Sequence, residues 1–424
     1  GYIVLGGEST PRVPLDRRSG TRRIETRVLT SCRGSMRGVG SCVEMGAATR
    51  RTIVRTLRAR AKGLRPPISC LWRLRSETLI VGFAAVVMPV LVGCTTHTVI
   101  PAQSAADVIV SSSRIGGADP RYQYPRGEVP FENHLFGEGA TPAYSQRLLT
   151  IPSIGDNRQE GNAITGRYYR SNAEEPRPLV IVLPIFARYT YPSEKMSRYL
   201  QHCSDGAVHV LEVEGKEFLF DWYTLSNTSD EAEFMDEIRK GIQTERTVVI
   251  DIRRLVDWAE QQLEIDGSRV ALIGFSRSAI VAGLAATQEP RLAATVLIMG
   301  GAHPHQIVAR CEGKRTSALH RNAERSFGWD AHELERRIAG DFSLVDAANF
   351  PDRVDPQSVL MFEAARDECI TESPREALWQ AMGRPKVFSL NYGHRVAFAA
   401  MTPLGGNWIC DRTWEFLQKR LGVE

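Results

Sequence analysis

A serine hydroxyl becomes a useful nucleophile only where a base can take its proton and an acid can orient that base. The segment Gly274-Phe275-Ser276-Arg277-Ser278 sets such a serine between an apolar run, Val270-Ala271-Leu272-Ile273, and a small-residue helical run, Ala279-Ile280-Val281-Ala282-Gly283-Leu284-Ala285-Ala286. A strand that turns at once into a helix strains the residue at the turn and needs small neighbours two positions to either side. Gly274 meets that need fully, whereas the hydroxymethyl group of Ser278 is expected to crowd the turn slightly. Further along, Asp367 ends the loop Glu363-Ala364-Ala365-Arg366-Asp367 and His394 ends Asn391-Tyr392-Gly393-His394, each just beyond a strand-like run. In that arrangement His394 deprotonates Ser276 and later protonates the leaving group, while Asp367 fixes the imidazole tautomer. Glu363 and Glu368 are rival carboxylates.

Together these residues resemble the α/β-hydrolase superfamily, whose Gly-x-Ser-x-Gly elbow matches 274–278 except at Ser278 and whose acid and histidine follow the nucleophile in this order. The resemblance extends over roughly 146–424 and is similar to the serine-esterase and dienelactone-hydrolase-like branches. It implies an α/β fold with a mostly parallel eight-stranded sheet flanked by helices. It also implies hydrolysis of a small-molecule carboxylic ester through an acyl-serine intermediate, without a cofactor. An oxyanion hole follows from the same resemblance: one backbone N–H from Arg277, the other from the loop after 179–183, where Pro184-Ile185-Phe186-Ala187 replaces the more frequent His-Gly step. Phe186 is the expected second donor. Peptidase, thioesterase or acyltransferase chemistry would use the same machinery. A non-catalytic, envelope-anchored binding protein on a retired hydrolase fold is the alternative from a different class.

These side chains need a scaffold, and the sequence supplies one. Apolar, β-branched runs at 148–151, 164–169, 179–184, 208–213, 270–274, 294–299, 358–362 and 386–390 predict strands. Helical patterns at 193–202, 247–263, 276–287, 374–382 and 408–421 fall between or after them. Strands joined through helices predict a parallel sheet covered on both faces. The stretch 301–352 exceeds a simple crossover and holds a charged helical segment at 330–338, so it reads as a small cap over the carboxyl edge.

Other residues carry weaker signals. His303 and His305 have the composition of a metal pair, but no third ligand is evident nearby, so they read as polar cap lining and no metal is expected. Tyr189, Tyr191, Trp222 and Tyr223 suit either a substrate pocket or ordinary packing. Arg188 and Arg277 suit an anionic substrate, with solvated arginines as the default reading.

Charge and cysteine usage divide the chain. The overall +4 conceals a net +13 in residues 1–75 and −9 in the rest. A mildly acidic body lacks the cationic footprint that nucleic-acid binding requires, so that class is excluded. Residues 1–70, Arg-rich and without apolar period, read as an upstream or overlong leader rather than a domain. Residues 71–94 combine Arg73 and Arg75, an apolar run of roughly 14 residues, and Leu91-Val92-Gly93-Cys94, which resembles a bacterial lipoprotein signal peptide with Cys94 as the lipidated first residue. A lipid anchor of that kind would place the body in the cell envelope, facing the periplasm or exterior. The Ser-, Gly- and Pro-rich 95–145 reads as a tether to the hydrolase domain at 146–424. In the body, Cys203, Cys311, Cys369 and Cys410 lack zinc spacing, leaving two disulfides in three possible pairings or buried thiols.

Overall fold

The computed structural model describes residues 97–102, 117–136, 141–153, 163–186, 190–215 and 219–424. The basic stretch 1–70, the segment 71–94 with Cys94, and Arg188 and Tyr189 lie outside the described residues.

Among the described residues, ten strands build one sheet: β1 (His97–Ile100), β2 (Glu132–Leu135), β3 (Tyr144–Pro152), β4 (Ala163–Ser171), β5 (Arg177–Val182), β6 (His209–Glu214), β7 (Ile265–Phe275), β8 (Leu292–Ile298), β9 (Val359–Ala364) and β10 (Lys386–Leu390). Their spatial order is β1-β10-β9-β8-β7-β5-β6-β4-β3-β2. The stretch from β6 across β5, β7, β8 and β9 to β10 is parallel, whereas β4, β3, β2 and β1 join antiparallel. The eight runs predicted from sequence are β3 to β10. The expected count of eight is corrected to ten because β1 and β2 add one short strand at each edge. Both are four residues long and neither buries a residue fully, β2 being mostly exposed, so neither carries an alternating apolar signature.

The helices are α1 (Tyr191–Ser204), α2 (Trp222–Asn227), α3 (Glu231–Glu260), α4 (Arg277–Gln288), α5 (Pro304–Arg310), α6 (Lys314–Phe327), α7 (Ala331–Phe342), α8 (Glu372–Ala381), α9 (His394–Ala397) and α10 (Trp408–Leu421). No helix among the described residues is long and apolar enough to cross a membrane.

Alternation along the central strands sorts their side chains into two cores. Leu179, Ile181, Val270, Leu272 and Leu297 face one side, where α3, α4 and α8 cover them. Val180, Val182, Ala271, Ile273, Val296 and Ile298 face the other, covered by α1 and α10. Helix α4 is buried on every side after its first residue, and this is why it is built from Ala, Gly and small aliphatics. Gly283 gives α8 close approach, since a Cβ there would lie 2.9 Å from the Leu378 Cδ1 methyl of α8.

The segment read as a tether is corrected by its described part. Tyr122 and Val129 are buried in the first core, Tyr122 Oη donates to the Leu344 carbonyl at 2.6 Å, and Arg253 of α3 donates to the Tyr122 carbonyl. Isolated aromatic and polar anchors hold this strap against α3, and such anchors leave no periodic pattern to read.

A buried imidazole closes one end of the sheet. His209, at the start of β6, accepts from the Ser171 N–H through Nδ1 at 2.9 Å, and its Nε2 lies 2.8 Å from the Glu264 carbonyl. These partners suit the neutral ring with its proton on Nε2. Burial, the dominant cause, pulls its pKa down to about 4, against a Glu264 carbonyl that favours the charged form. The unfolded chain protonates this ring at about 6.5 and the folded chain only at about 4, so the unfolded state binds more protons between them. Stability should therefore fall as pH drops through that window, by at most about 1.4 kcal/mol per pH unit from this group. Urea midpoints measured from pH 6.5 to 5 check this, and His209→Gln should show a shallower dependence than the parent.

Candidate active site

Strand β7 lies near the middle of the parallel stretch and ends at Phe275, so the next residue stands at the carboxyl edge of the sheet. That residue, Ser276, has φ 50 and ψ −114, a conformation that costs a non-glycine residue on the order of 1–3 kcal/mol. Its surroundings enforce the turn. Ser276 N–H donates to the Ile298 carbonyl of β8 at 2.8 Å, and α4 begins at once with Arg277. A Cβ on Gly274 would come within 2.4 Å of the Ser278 carbonyl, so only glycine fits. Ser278 also bonds the turn, beyond its expected steric effect. It is fully buried, its Oγ accepts from the Phe275 N–H at 2.8 Å, and it lies 3.1 Å from the Phe275 carbonyl. The hydroxyl thus satisfies backbone groups that a glycine would leave to other partners.

The structure brings the three sequence-predicted side chains together. Ser276 Oγ is 2.9 Å from His394 Nε2, and His394 Nδ1 is 2.5 Å from Asp367 Oδ2. Asp367 is 1% exposed at its side chain, and its Oδ1 accepts from the N–H groups of Cys369 at 2.9 Å and Ile370 at 2.8 Å. The carboxylate is thus held by its own loop independently of the ring. Phe398 stacks edge-on to the His394 ring at 5.6 Å. Neither rival acid bonds the His394 ring: Glu363 faces Arg375 at 3.5 Å, and Glu368 accepts from the backbone N–H of His394 at 3.4 Å.

Arg277 is the first residue of α4, where backbone N–H groups have no intrahelical partner. Phe186 lies beyond β5 with φ 53, wedged beside Gly215, where a Cβ would be 2.3 Å from Pro184 and 3.2 Å from the Phe186 ring. The Arg277 side chain departs from the solvated default. Its Nη2 donates to Glu245 of α3 at 2.6 Å and its guanidinium covers the Phe220 ring at 4.8 Å. Burial pushes the Glu245 carboxyl up, the Arg277 guanidinium opposes that, and the carboxylate of Asp346 adds to the upward push. Sequence reading missed Glu245 and Phe220. The one available signal is the spacing of Phe234, Ile238, Ile242 and Glu245 along one helix face, with Glu245 in line with apolar residues.

Tyr223 is 78% exposed and Tyr191 45%, while Trp222 packs on Phe220 at 5.8 Å. The reading of His303 and His305 as a pair without a third ligand is corrected: Asp346, 43 residues from His303, lies against them, with its Oδ2 2.9 Å from His303 Nδ1. Of the two disulfides in three possible pairings, or free thiols, one disulfide forms, Cys311–Cys369, while Cys203 is exposed and Cys410 buried, both as free thiols. It ties the end of α5 to the loop of Asp367.

Residues 195–318 match the family model described as phospholipase/carboxylesterase. Among solved structures, the chain is similar to an acetyl xylan esterase from Paenibacillus sp. R4, at 16% identity and a TM-score of 0.50, covering 69% of this chain and 89% of that one. It is also similar to acetyl xylan esterase 1 from Thermoanaerobacterium sp. JW/SL YS485, at 17% identity and a TM-score of 0.49 over the same shares. A glucuronoyl esterase from Solibacter usitatus matches at 14% identity and a TM-score of 0.43, covering 72% of this chain and 88% of that one. No curated protein sequence matches. The chain has the α/β-hydrolase fold: a large sheet flanked by helices, with an insertion between β8 and β9.

Removing the Ser278 hydroxyl should expose what it holds. Ser278→Ala leaves the Phe275 N–H without its side-chain partner and should cost about 1–3 kcal/mol in urea denaturation. A loss below about 0.5 kcal/mol would show that the turn does not depend on that bond.

Proposed function

We propose that this chain is a serine hydrolase that cleaves carboxylic esters of small molecules through an acyl-enzyme formed on Ser276. The observation that carries the reading is the unbroken relay from Ser276 Oγ to His394 Nε2, 2.9 Å, and from His394 Nδ1 to Asp367, 2.5 Å, at the carboxyl edge of the sheet. A family model described as phospholipase/carboxylesterase and the esterases among its structural neighbours support the same chemistry.

In this mechanism, His394 takes the Ser276 proton as Oγ attacks the ester carbonyl, and it then protonates the departing alkoxide. Asp367 remains ionised, orients the ring and stabilises its charged form. The backbone N–H of Arg277 and that of Phe186 receive the oxyanion. Water, deprotonated by the same imidazole, then releases the acid and restores Ser276. The ion pair of Arg277 with buried Glu245 directs that side chain away from solvent, so Arg277 contributes its amide rather than its charge. Envelope placement by a lipid on Cys94 belongs to the same proposal, and the Cys311–Cys369 disulfide supports an oxidising compartment.

Ser276→Ala should abolish hydrolysis of short-chain aryl esters with an unchanged urea midpoint, and Asp367→Asn should reduce kcat by roughly 10⁴. Ester turnover surviving in Ser276→Ala would refute the assignment. Failure of the parent to react with a fluorophosphonate would favour the non-catalytic binding reading. Turnover of amides or thioesters in preference to esters would favour the other acyl-transfer chemistries.

A further inference from the structure

Besides the Ser276 relay, the start and finish of the insertion between β8 and β9 converge on three side chains with the donor types of a transition-metal site. His303, His305 and Asp346 each offer one ligand atom, and these atoms all lie within 4.8 Å of one another. His303 and His305 flank Pro304 at the first turn of α5, and Asp346 follows α7 in the turn that returns the chain toward β9. The backbone fixes their meeting. His303 has φ 52, its N–H donates to Asp346 Oδ1 at 3.0 Å, and the Ala348 N–H donates to the same oxygen at 3.0 Å. Asp346 Oδ2 then faces His303 Nδ1 at 2.9 Å from a buried position. His305 makes no hydrogen bond among the described residues, and its ring centroid lies 5.5 Å from that of His303. A structural His–Asp pair accounts for His303 and Asp346 but leaves the second imidazole without a purpose.

We propose that His303, His305 and Asp346 bind a divalent transition-metal ion of the zinc type, joining the two ends of the insertion. Two imidazoles and one carboxylate are a nitrogen-rich set that suits Zn²⁺, whereas Mg²⁺ and Ca²⁺ prefer oxygen ligands throughout. Zinc bonds of about 2.0–2.2 Å put tetrahedral ligand atoms roughly 3.3–3.6 Å apart. The His303–Asp346 distance of 2.9 Å is below that spacing and the cluster's span of up to 4.8 Å is above it, so the three side chains adjust on binding and water would complete the fourth position. Because Asp346 lies 43 residues from His303 and meets the two histidines only on folding, the ion binds the folded chain in preference to the unfolded one and raises its melting temperature.

The test uses the purified chain, stripped with EDTA and desalted, then titrated with Zn²⁺ by calorimetry and followed by thermal denaturation. One Zn²⁺ per chain is expected at this site, with an increase in Tm that EDTA reverses and that millimolar Mg²⁺ does not reproduce. His305→Ala and, in parallel, His305→Gln should weaken binding at least tenfold and remove the zinc-dependent change in Tm. Either variant suffices if its metal-free circular dichroism spectrum and Tm match the parent's. Zinc binding and Tm shifts equal in parent and folded variants would overturn the proposal, as would a parent whose Tm does not respond to zinc.

Discussion

The left-handed backbone at Ser276 is the constraint on which the rest of the site is built. Its cost is on the order of 1–3 kcal/mol, and the structure meets it with contacts that no single element could provide. Strand β8 accepts the Ser276 N–H, the missing side chain at Gly274 lets α4 close on β7, and the Ser278 hydroxyl bonds the backbone of Phe275. The helix beyond must then run through the densest part of the core. Its composition of Ala, Gly, Val and Leu is therefore as much a consequence of the turn as the turn is of the helix. Once the serine is fixed, only a narrow arc of positions is open to the imidazole, and the carboxyl ends of β9 and β10 supply the loops that reach it.

The loop of Asp367 holds its carboxylate on the same principle. Asp367 receives two N–H groups from its own loop and is sealed from solvent, so its position does not depend on His394. The disulfide adds a covalent restraint two residues away, closing a segment with a sequence separation of 58. In the chain-entropy view, such a closure contributes on the order of 4 kcal/mol by restricting the unfolded chain. The restraint lies in a loop, the class of segment that otherwise has the lowest local stability.

What the sequence made legible followed from pattern strength. The central strands β5, β7, β8 and β9 announce themselves because burial on both faces makes them continuously apolar, β3 and β4 show shorter apolar runs with alternating burial, and Ser276, Asp367 and His394 sit just beyond strand ends. The edge strands β1 and β2 lack that pressure. Helix α3 was expected over 247–263 but spans Glu231–Glu260, because its first half is dominated by solvent-facing charge and interrupted by Gly241. That glycine has a tertiary cause: a Cβ there would lie 2.1 Å from the Phe220 ring. At the other end, Leu263 extends the apolar period but is 94% exposed, so hydrophobic spacing overran the true terminus. Asp346 was illegible for a different reason: it is a single acid whose significance arises only from what the fold brings to it from far along the chain.

The insertion between β8 and β9 was read as a cap over the carboxyl edge, and its packing decides how such a cap can behave. Leu319 of α6 and Leu334, Ile338 and Phe342 of α7 are buried in the same core cluster as the strands and α3. Asn322 of α6 donates to the Leu225 and Thr228 carbonyls at the end of α2, and the disulfide holds the start of the insertion to the Asp367 loop. Swinging these helices outward would return those four side chains to water, at about 1.5–3 kcal/mol each. A total of roughly 6–12 kcal/mol rivals the stability of a whole domain, so an opened cap would be populated no more than the unfolded chain. The insertion is therefore a fixed part of the folded core rather than a hinged lid.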